Sequence, residues 1–213
     1  MAPEKCSYLI FSKNRKTFKD EWFDLEFGNS KIKNDSQEGV KFLGITLDRL
    51  CNFDKQILNL NNKLTNRISI IKHLSYKPWG LTKQTLTNVY KSIVRSVIEY
   101  TSMFIGVMPM ANKKKLEIPQ NKCLRLIHKL TYRNNNNIMI SNSELLVKTN
   151  MPSIEERSTK LAQTYICNGL DTGNELIKSL IEQSDKLKSI NPIGAKQTLL
   201  GKIESYSPIN RFH

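Results

Sequence analysis

Residues 40–71 read VKFLGITLDRLCNFDKQILNLNNKLTNRISII, and the period of the apolar residues changes within this stretch. Its first part, Val40 to Asp48, has the length of a strand and is rich in β-branched and aromatic side chains. Its second part repeats apolar residues every three or four positions, which predicts one face of a helix from about Asp54 to Leu74 with Asp54 as the N-cap. The apolar positions are Ile57, Leu60, Leu64, Ile68 and Ile71. The stretch therefore predicts an α+β chain.

Further strands are predicted upstream of this stretch and further helices downstream. Ser7 to Ser12 and Trp22 to Gly28 are short and bounded by polar turn residues, so with residues 40–48 they predict a small antiparallel sheet at the N-terminus. Apolar residues at helical spacing continue through the rest of the chain. The expected helices are Thr82 to Tyr100, Lys113 to Leu130, Ser153 to about Gly169, and Asn174 to Lys188.

This pattern divides the chain into a β segment, residues 1–51, a helical region, residues 52–170, and a C-terminal helix with a loose tail, residues 171–213. Two details concern the helix starts. Proline is tolerated only in the first turn of a helix, so the third helix could begin at Pro119 rather than at Lys113. Ser153 followed by Glu156 predicts a capping box.

The charge of the chain is concentrated in its middle. Lys and Arg total 33 against 19 Asp and Glu, which gives a formal net charge of +14. Between Lys55 and Arg133 there are 15 basic residues and two acids, Glu99 and Glu117. Solvated helices usually mix both signs, so the excess indicates a polyanionic partner. An anionic membrane is the less favoured partner, because the bases are spread over several helices and no apolar run approaches the roughly 20 residues of a membrane span.

Basic residues one helical turn apart mark the three helices predicted in this middle segment. Such stripes could follow a phosphate backbone without reading the base sequence, although each residue alone could be an ordinary solvated side chain. The candidate nucleic-acid-binding residues are Lys63, Arg67, Lys91, Arg95, Lys122, Arg125, Lys129 and Arg133.

No complete catalytic constellation is visible in the sequence. The three histidines are isolated from any Ser or Cys arrangement that would support nucleophilic catalysis. Cys6, Cys51, Cys123 and Cys167 lie too far apart for a zinc motif. We therefore expect no catalytic residue, metal or cofactor in this chain.

Several motifs occur in an order and spacing that resemble one family. Val40-Lys-Phe-Leu-Gly-Ile-Thr-Leu-Asp48 followed by Asn52-Phe-Asp-Lys-Gln-Ile57 resembles the segment after the palm in reverse transcriptases of non-LTR, jockey-like retrotransposons. Four further pieces, over roughly residues 4 to 166, resemble elements of the same family. They are Glu4 to Ser12; Lys63 with Trp79-Gly80, Leu86, Tyr90-Lys91, Arg95 and Ile98-Glu99-Tyr100; Leu116 to Ile127; and Met151 to Arg157.

The resemblance implies the end of a palm, a primer-grip-like turn at Phe42, Leu43 and Gly44, and a helical thumb. It implies an RNA–DNA or DNA duplex as the partner, and the missing upstream portion of the polymerase as a second partner. In the family, the catalytic carboxylates and the Mg²⁺ that they hold lie upstream of the matching residues. We therefore expect that this chain alone does not polymerise.

Two other hypotheses stay open at this point. The chain could be a relic of a mobile element with no selected activity, in which a truncated sheet with unpaired edges folds poorly. It could also be a shortened reading frame of an intact polymerase. Since the N-terminal residues show no signal peptide, we expect an intracellular protein, in the nucleus or the cytoplasm.

Overall fold

The computed structural model describes residues 6–12, 25–28, 30–35, 38–77, 80–130, 132–133, 138–191 and 200. Parts of three sequence predictions lie outside these residues. They are the first half of the strand predicted at Trp22 to Gly28, the quoted motif residues Glu4, Lys5 and Trp79, and most of the C-terminal tail.

The strands are short and form separate two-stranded pairs. β1 (Ser7–Tyr8) is parallel to β4 (Lys33–Asn34), and three other pairs are antiparallel. The antiparallel pairs are β2 (Glu26–Phe27) with β3 (Ser30–Lys31), β5 (Val40–Phe42) with β6 (Ile45–Leu47), and β7 (Tyr132–Arg133) with β8 (Ile138–Met139).

The single strand predicted from Val40 to Asp48 is a hairpin. Leu43 and Gly44 form its two-residue turn, with φ of 46° and 82° respectively. Two positive φ values in a two-residue turn match the type I′ geometry that joins twisted antiparallel strands. The prediction of one continuous strand, made from length and composition, is wrong because Gly44 permits a turn here. The turn lies at residues where the resemblance implies one.

Helices make up most of the described chain and confirm the predicted α+β class. They are α1 (Asp54–Ser75), α2 (Lys83–Tyr90), α3 (Ser96–Glu99), α4 (Ser102–Ile105), α5 (Met110–His128), α6 (Asn142–Thr149), α7 (Ile154–Asp171) and α8 (Glu175–Ile190). Five residues between α2 and α3, Lys91–Arg95, continue the helix with π geometry, and we call them the π-turn. No described helix is long and apolar enough to cross a bilayer.

The start of α1 differs from the prediction by one residue. Phe53, with φ of 61°, is the N-cap, and Asp54 is the first helical residue. The carboxylate of Asp48 accepts hydrogen bonds from the backbone N–H of Asn52 at 3.2 Å and of Phe53 at 2.8 Å. An acid just upstream of the helix thus fixes the chain entering α1.

The helix α5 begins well before Pro119, so the expectation of a start at that residue was wrong. Pro119 lies inside α5 and is buried. Its missing N–H costs one intrahelical hydrogen bond, but Leu116, Cys123 and Leu124 on the same helix are fully buried in the core. Burial of this apolar face outweighs the lost hydrogen bond.

The main core lies where α1 packs along α5 and the α2–π-turn–α3 segment packs against both. A buried polar chain runs through this core. The hydroxyl of Tyr90 donates to Gln120 Oε1 at 2.8 Å, and Gln120 Nε2 donates to the carbonyl oxygen of Pro152 at 3.1 Å. A second apolar cluster, Ala162, Ile166 and Ile177, joins α7 to α8. The capping box predicted at Ser153 and Glu156 is confirmed.

Candidate nucleic-acid interface

The π-turn places two of the candidate cations beside α7. Tyr90, Val94 and Ile98 are fully buried and hold this segment in the core. The N–H of Ser96 donates to the carbonyl oxygen of Lys91, one residue further back than in an α-helix. Lys91 and Arg95 lie next to this face and line a cavity with Arg157 of α7.

The cavity has a volume of about 300 Å³, and its walls carry three cations and one carboxylate. Glu99 Oε1 accepts from Arg95 Nε and from Arg157 Nε, both at 2.9 Å. Arg95 Nη1 also donates to the sulfur of Met151 at 3.8 Å. Arg95 is therefore a bridge between the π-turn, α3 and the chain entering α7.

Two cationic groups at this cavity are unsatisfied within the described part of the chain. Arg95 is only 4% exposed, and its Nη2 is buried without a hydrogen-bond partner. The side chain of Lys91 is exposed, and its ammonium group has no ion pair among the described residues. Among the described residues, the lining of the cavity therefore holds two more cations than carboxylates.

The α1 stripe contains one anchored arginine and one exposed lysine. Arg67 Nη1 donates to the carbonyl oxygen of Ile93 in the π-turn at 2.5 Å, which ties α1 to the α2–π-turn–α3 segment. Lys63, one turn earlier, is exposed on α1 and has no partner among the described residues. Arg67 thus has a structural contact, whereas Lys63 faces solvent.

The α5 stripe shows the same division. Arg125 Nη2 donates to the carbonyl oxygen of Ile140 at 3.1 Å and to Asn142 Oδ1 at 2.8 Å. Lys122 and Lys129 are exposed and make no ion pair among the described residues.

Arg133, the last candidate of the third stripe, does not continue α5. It lies in β7, paired with Ile138 of β8, and its side chain is outside the described part of the chain. The stripe predicted along the third helix is therefore interrupted after Lys129, where α5 has ended in the left-handed conformation with φ of 54°.

Seven of the eight candidate cations, all but Arg133, therefore fall into two groups. Arg67, Arg95 and Arg125 form hydrogen bonds that cross-link parts of the fold, while Arg95 Nη2 and Arg125 Nε keep no partner among the described residues. Four lysines on three helical segments keep exposed ammonium groups without an acidic partner in the described ranges. They are Lys63, Lys91, Lys122 and Lys129.

The primer-grip-like residues form the exposed tip of the β5–β6 hairpin. Phe42 is 61% exposed and Leu43 is 74% exposed. The hydroxyl of Tyr100, at the end of α3, donates to the carbonyl oxygen of Leu43 at 2.5 Å. This bond holds an apolar tip in a fixed place on the helical part of the chain.

Sequence reasoning did not select Glu99, Arg157 or Tyr100 as site residues, although all three lie in the quoted motifs. The spacing of Arg95 and Glu99, one helical turn apart, indicates their ion pair. The contact of Glu99 with Arg157 joins residues 58 positions apart, so no local pattern predicts it. Among the described residues, no group of three or more His, Cys, Asp or Glu could hold a metal ion.

Comparison with known proteins relates part of the chain to a retrotransposon polymerase. Over 90 residues, 30% are identical to the RNA-directed DNA polymerase from mobile element jockey of Drosophila melanogaster. The alignment covers 42% of this chain and 10% of that protein. No family model matches the chain, and no solved structure matches it. The identity supports the relationship to retrotransposon reverse transcriptases that the motifs indicate.

Proposed function

We propose that this chain is the palm-end and thumb region of a retrotransposon RNA-directed DNA polymerase, and that it holds a template–primer duplex by its phosphate backbone. The observation that carries the proposal is the set of four exposed lysines without acidic partners, on the helices that pack into one core. Ammonium groups on a rigid helical scaffold contact phosphates without reading the bases. The relationship to the jockey polymerase supplies the class of polyanion, an RNA–DNA or DNA duplex.

The proposal assigns no catalytic step to this chain. The family's Mg²⁺ requires clustered carboxylates, and the described residues contain no such cluster. The chemistry of nucleotide addition would belong to the upstream portion of the polymerase. This chain would contribute affinity and position for the duplex.

The upstream portion is the second proposed partner. Several large apolar side chains are exposed in the N-terminal β segment, where the resemblance places the end of the palm. They are Phe11, Leu25, Phe27, Phe42 and Leu43. Exposed apolar side chains in one segment favour an interface with another part of a protein. The palm would cover this segment and leave the lysines of the helices free for the duplex.

Duplex binding is tested by fluorescence anisotropy of a labelled RNA–DNA primer–template at several salt concentrations. The logarithm of the binding constant should fall steeply with the logarithm of salt concentration. A triple variant with Lys63, Lys122 and Lys129 changed to Ala should weaken binding and reduce that slope by about one for each lost phosphate contact.

The matched control removes the same charge elsewhere. Lys160, Lys178 and Lys186 are exposed lysines on α7 and α8, outside the basic middle segment. Changing these three to Ala should leave most of the salt slope in place. Equal losses in the two triple variants would show that only net charge matters, and would contradict the proposed interface.

A further inference from the structure

We infer that the cavity between the π-turn and α7 is a binding site for one phosphate group. The inference deepens the proposed function, because a nucleic-acid strand is one source of that phosphate and free inorganic phosphate is the other. The shared chemistry is a tetrahedral anion with several hydrogen-bond acceptors.

The charge of the cavity favours such an anion. Lys91, Arg95 and Arg157 line it together with a single carboxylate, Glu99. The walls therefore carry an excess of two positive charges, which free phosphate of about −1.5 to −2 balances and a strand phosphate, with about one negative charge, balances in part. Glu99 binds both arginines through one oxygen, Oε1, so it orients the guanidinium groups without neutralising them fully.

The hydrogen-bonding state of Arg95 is the second argument. Its side chain is 5% exposed, and Nη2 has no acceptor among the described residues. A buried donor without a partner costs roughly 1–3 kcal/mol, and native proteins rarely leave one unpaired. Arg95 lines the cavity and Nη2 itself is enclosed by protein atoms, so an anion bound there would compensate the charge of the guanidinium group rather than contact this nitrogen.

The size of the cavity and the access to it suit a small anion. A volume of about 300 Å³ lies at the lower end of the range for ligand sites, roughly 300–1,000 Å³. Lys91 is exposed at one side and Arg157 is partly exposed, so an anion can enter from solvent. The guanidinium fork of Arg157 matches two phosphate oxygens, and the ammonium group of Lys91 supplies a third contact.

The test is a titration of the whole chain with inorganic phosphate, followed by NMR through the Nε–H signals of Arg95 and Arg157. We expect both signals to shift and to saturate. Lys91→Ala should weaken phosphate binding about tenfold, since it removes a charge-assisted contact. The matched control is Lys178→Ala, an exposed lysine on α8, which should bind phosphate as the unchanged chain does.

Glu99→Gln should change the affinity for phosphate in the direction opposite to Lys91→Ala. The amide oxygen can still accept from the two arginines, whereas the only carboxylate among the described residues that line the cavity is lost. Phosphate should then bind several-fold more tightly. Weaker binding in a Glu99→Gln variant that melts like the unchanged chain would overturn the inference, as would equal binding by the unchanged chain and Lys91→Ala.

A second arm adds the duplex and separates the two sources of phosphate. Displacement of inorganic phosphate by the duplex would support a strand phosphate in the cavity. Phosphate that stays bound at saturating duplex would support a site for the free anion. If the duplex binds by anisotropy but neither ligand shifts the two arginine signals, the cavity inference fails while the proposed function stands.

Discussion

Glu117 is a partly buried carboxyl group on α5 that supports the start of α7. Its Oε1 accepts a hydrogen bond from the backbone N–H of Ile154 at 2.7 Å. Burial raises the pKa of Glu117 above its ordinary value of 4.5, and the hydrogen bonds from the backbone N–H groups of Ile154 and Glu155 oppose this effect. At this residue, desolvation outweighs the hydrogen bonds that favour the charged form.

This raised pKa predicts a pH-dependent effect of Glu117→Gln. Because the folded-state pKa exceeds that of the unfolded chain, the folded state binds the proton more tightly, and stability falls as pH rises between the two values. Gln keeps an oxygen for Ile154 but carries no charge. The variant should therefore be the more stable protein at about pH 7, and the difference should shrink toward zero at about pH 4.

Urea unfolding of both proteins at the two pH values measures this difference. The side chain of Glu156 is exposed and caps the same helix, so Glu156→Gln is a control in which no buried carboxyl group is changed. A loss of stability in Glu117→Gln that is the same at both pH values would show that the hydrogen bond to Ile154 matters more than burial of the charge.

At the scale of elements, the β5–β6 hairpin has a strained residue in its turn. Leu43 has φ of 46°, a conformation that Leu adopts rarely and Asn adopts readily. Its side chain is 74% exposed and contributes little to the core. Leu43→Asn should therefore stabilise the chain by about 0.5–1 kcal/mol in urea unfolding, because type I′ turns favour Asn followed by Gly.

The control for this change is Leu58→Asn. Leu58 is 62% exposed on α1, in ordinary helical conformation. Asn is a poorer helix former than Leu, so this variant should lose a few tenths of a kcal/mol. If both variants lose stability, the strain assigned to Leu43 is absent.

Elements with a strong local pattern could be predicted from the sequence, and elements decided by tertiary contacts could not. The apolar period from Ile57 to Ile71 predicts helix α1, and all five of these residues are buried in the structure. The helix α6 was missed because Leu145 is its only fully buried residue. The π-turn has no sequence pattern of its own, since its geometry depends on how Val94 and Ile98 pack in the core.

The candidate interface shows the same limit at the scale of the whole molecule. The sequence shows which helical segments carry the candidate cations, but it does not separate solvent-facing lysines from arginines that cross-link elements. Arg67 binds the backbone carbonyl group of Ile93 in the π-turn, and Arg125 binds that of Ile140 between β8 and α6. Such contacts depend on the packing of helices, which periodicity does not specify.

The hypothesis of a poorly folded relic and the observed core lead to different expectations for how the whole chain unfolds. One cluster of buried apolar side chains runs from Ile45 in β6 to Ile154 in α7. A core that joins all these elements should unfold in one cooperative transition, whereas a relic that folds poorly should show none.

Tyr90→Phe tests whether that core unfolds as a unit. Tyr90 is fully buried, and the variant would leave Gln120 Oε1 without the hydroxyl donor that joins the α2–π-turn–α3 segment to α5. An unpaired buried acceptor costs roughly 1–3 kcal/mol, so the urea midpoint should fall while the slope of the transition stays unchanged. Tyr165→Phe is the control, because Tyr165 is 57% exposed on α7 and its replacement should change the midpoint little.

Circular dichroism and tyrosine absorbance should report the same unfolding transition for all three proteins. If the two probes separate in Tyr90→Phe, the helices around Gln120 unfold independently of the rest of the described core, and the expectation of a single cooperative unit fails.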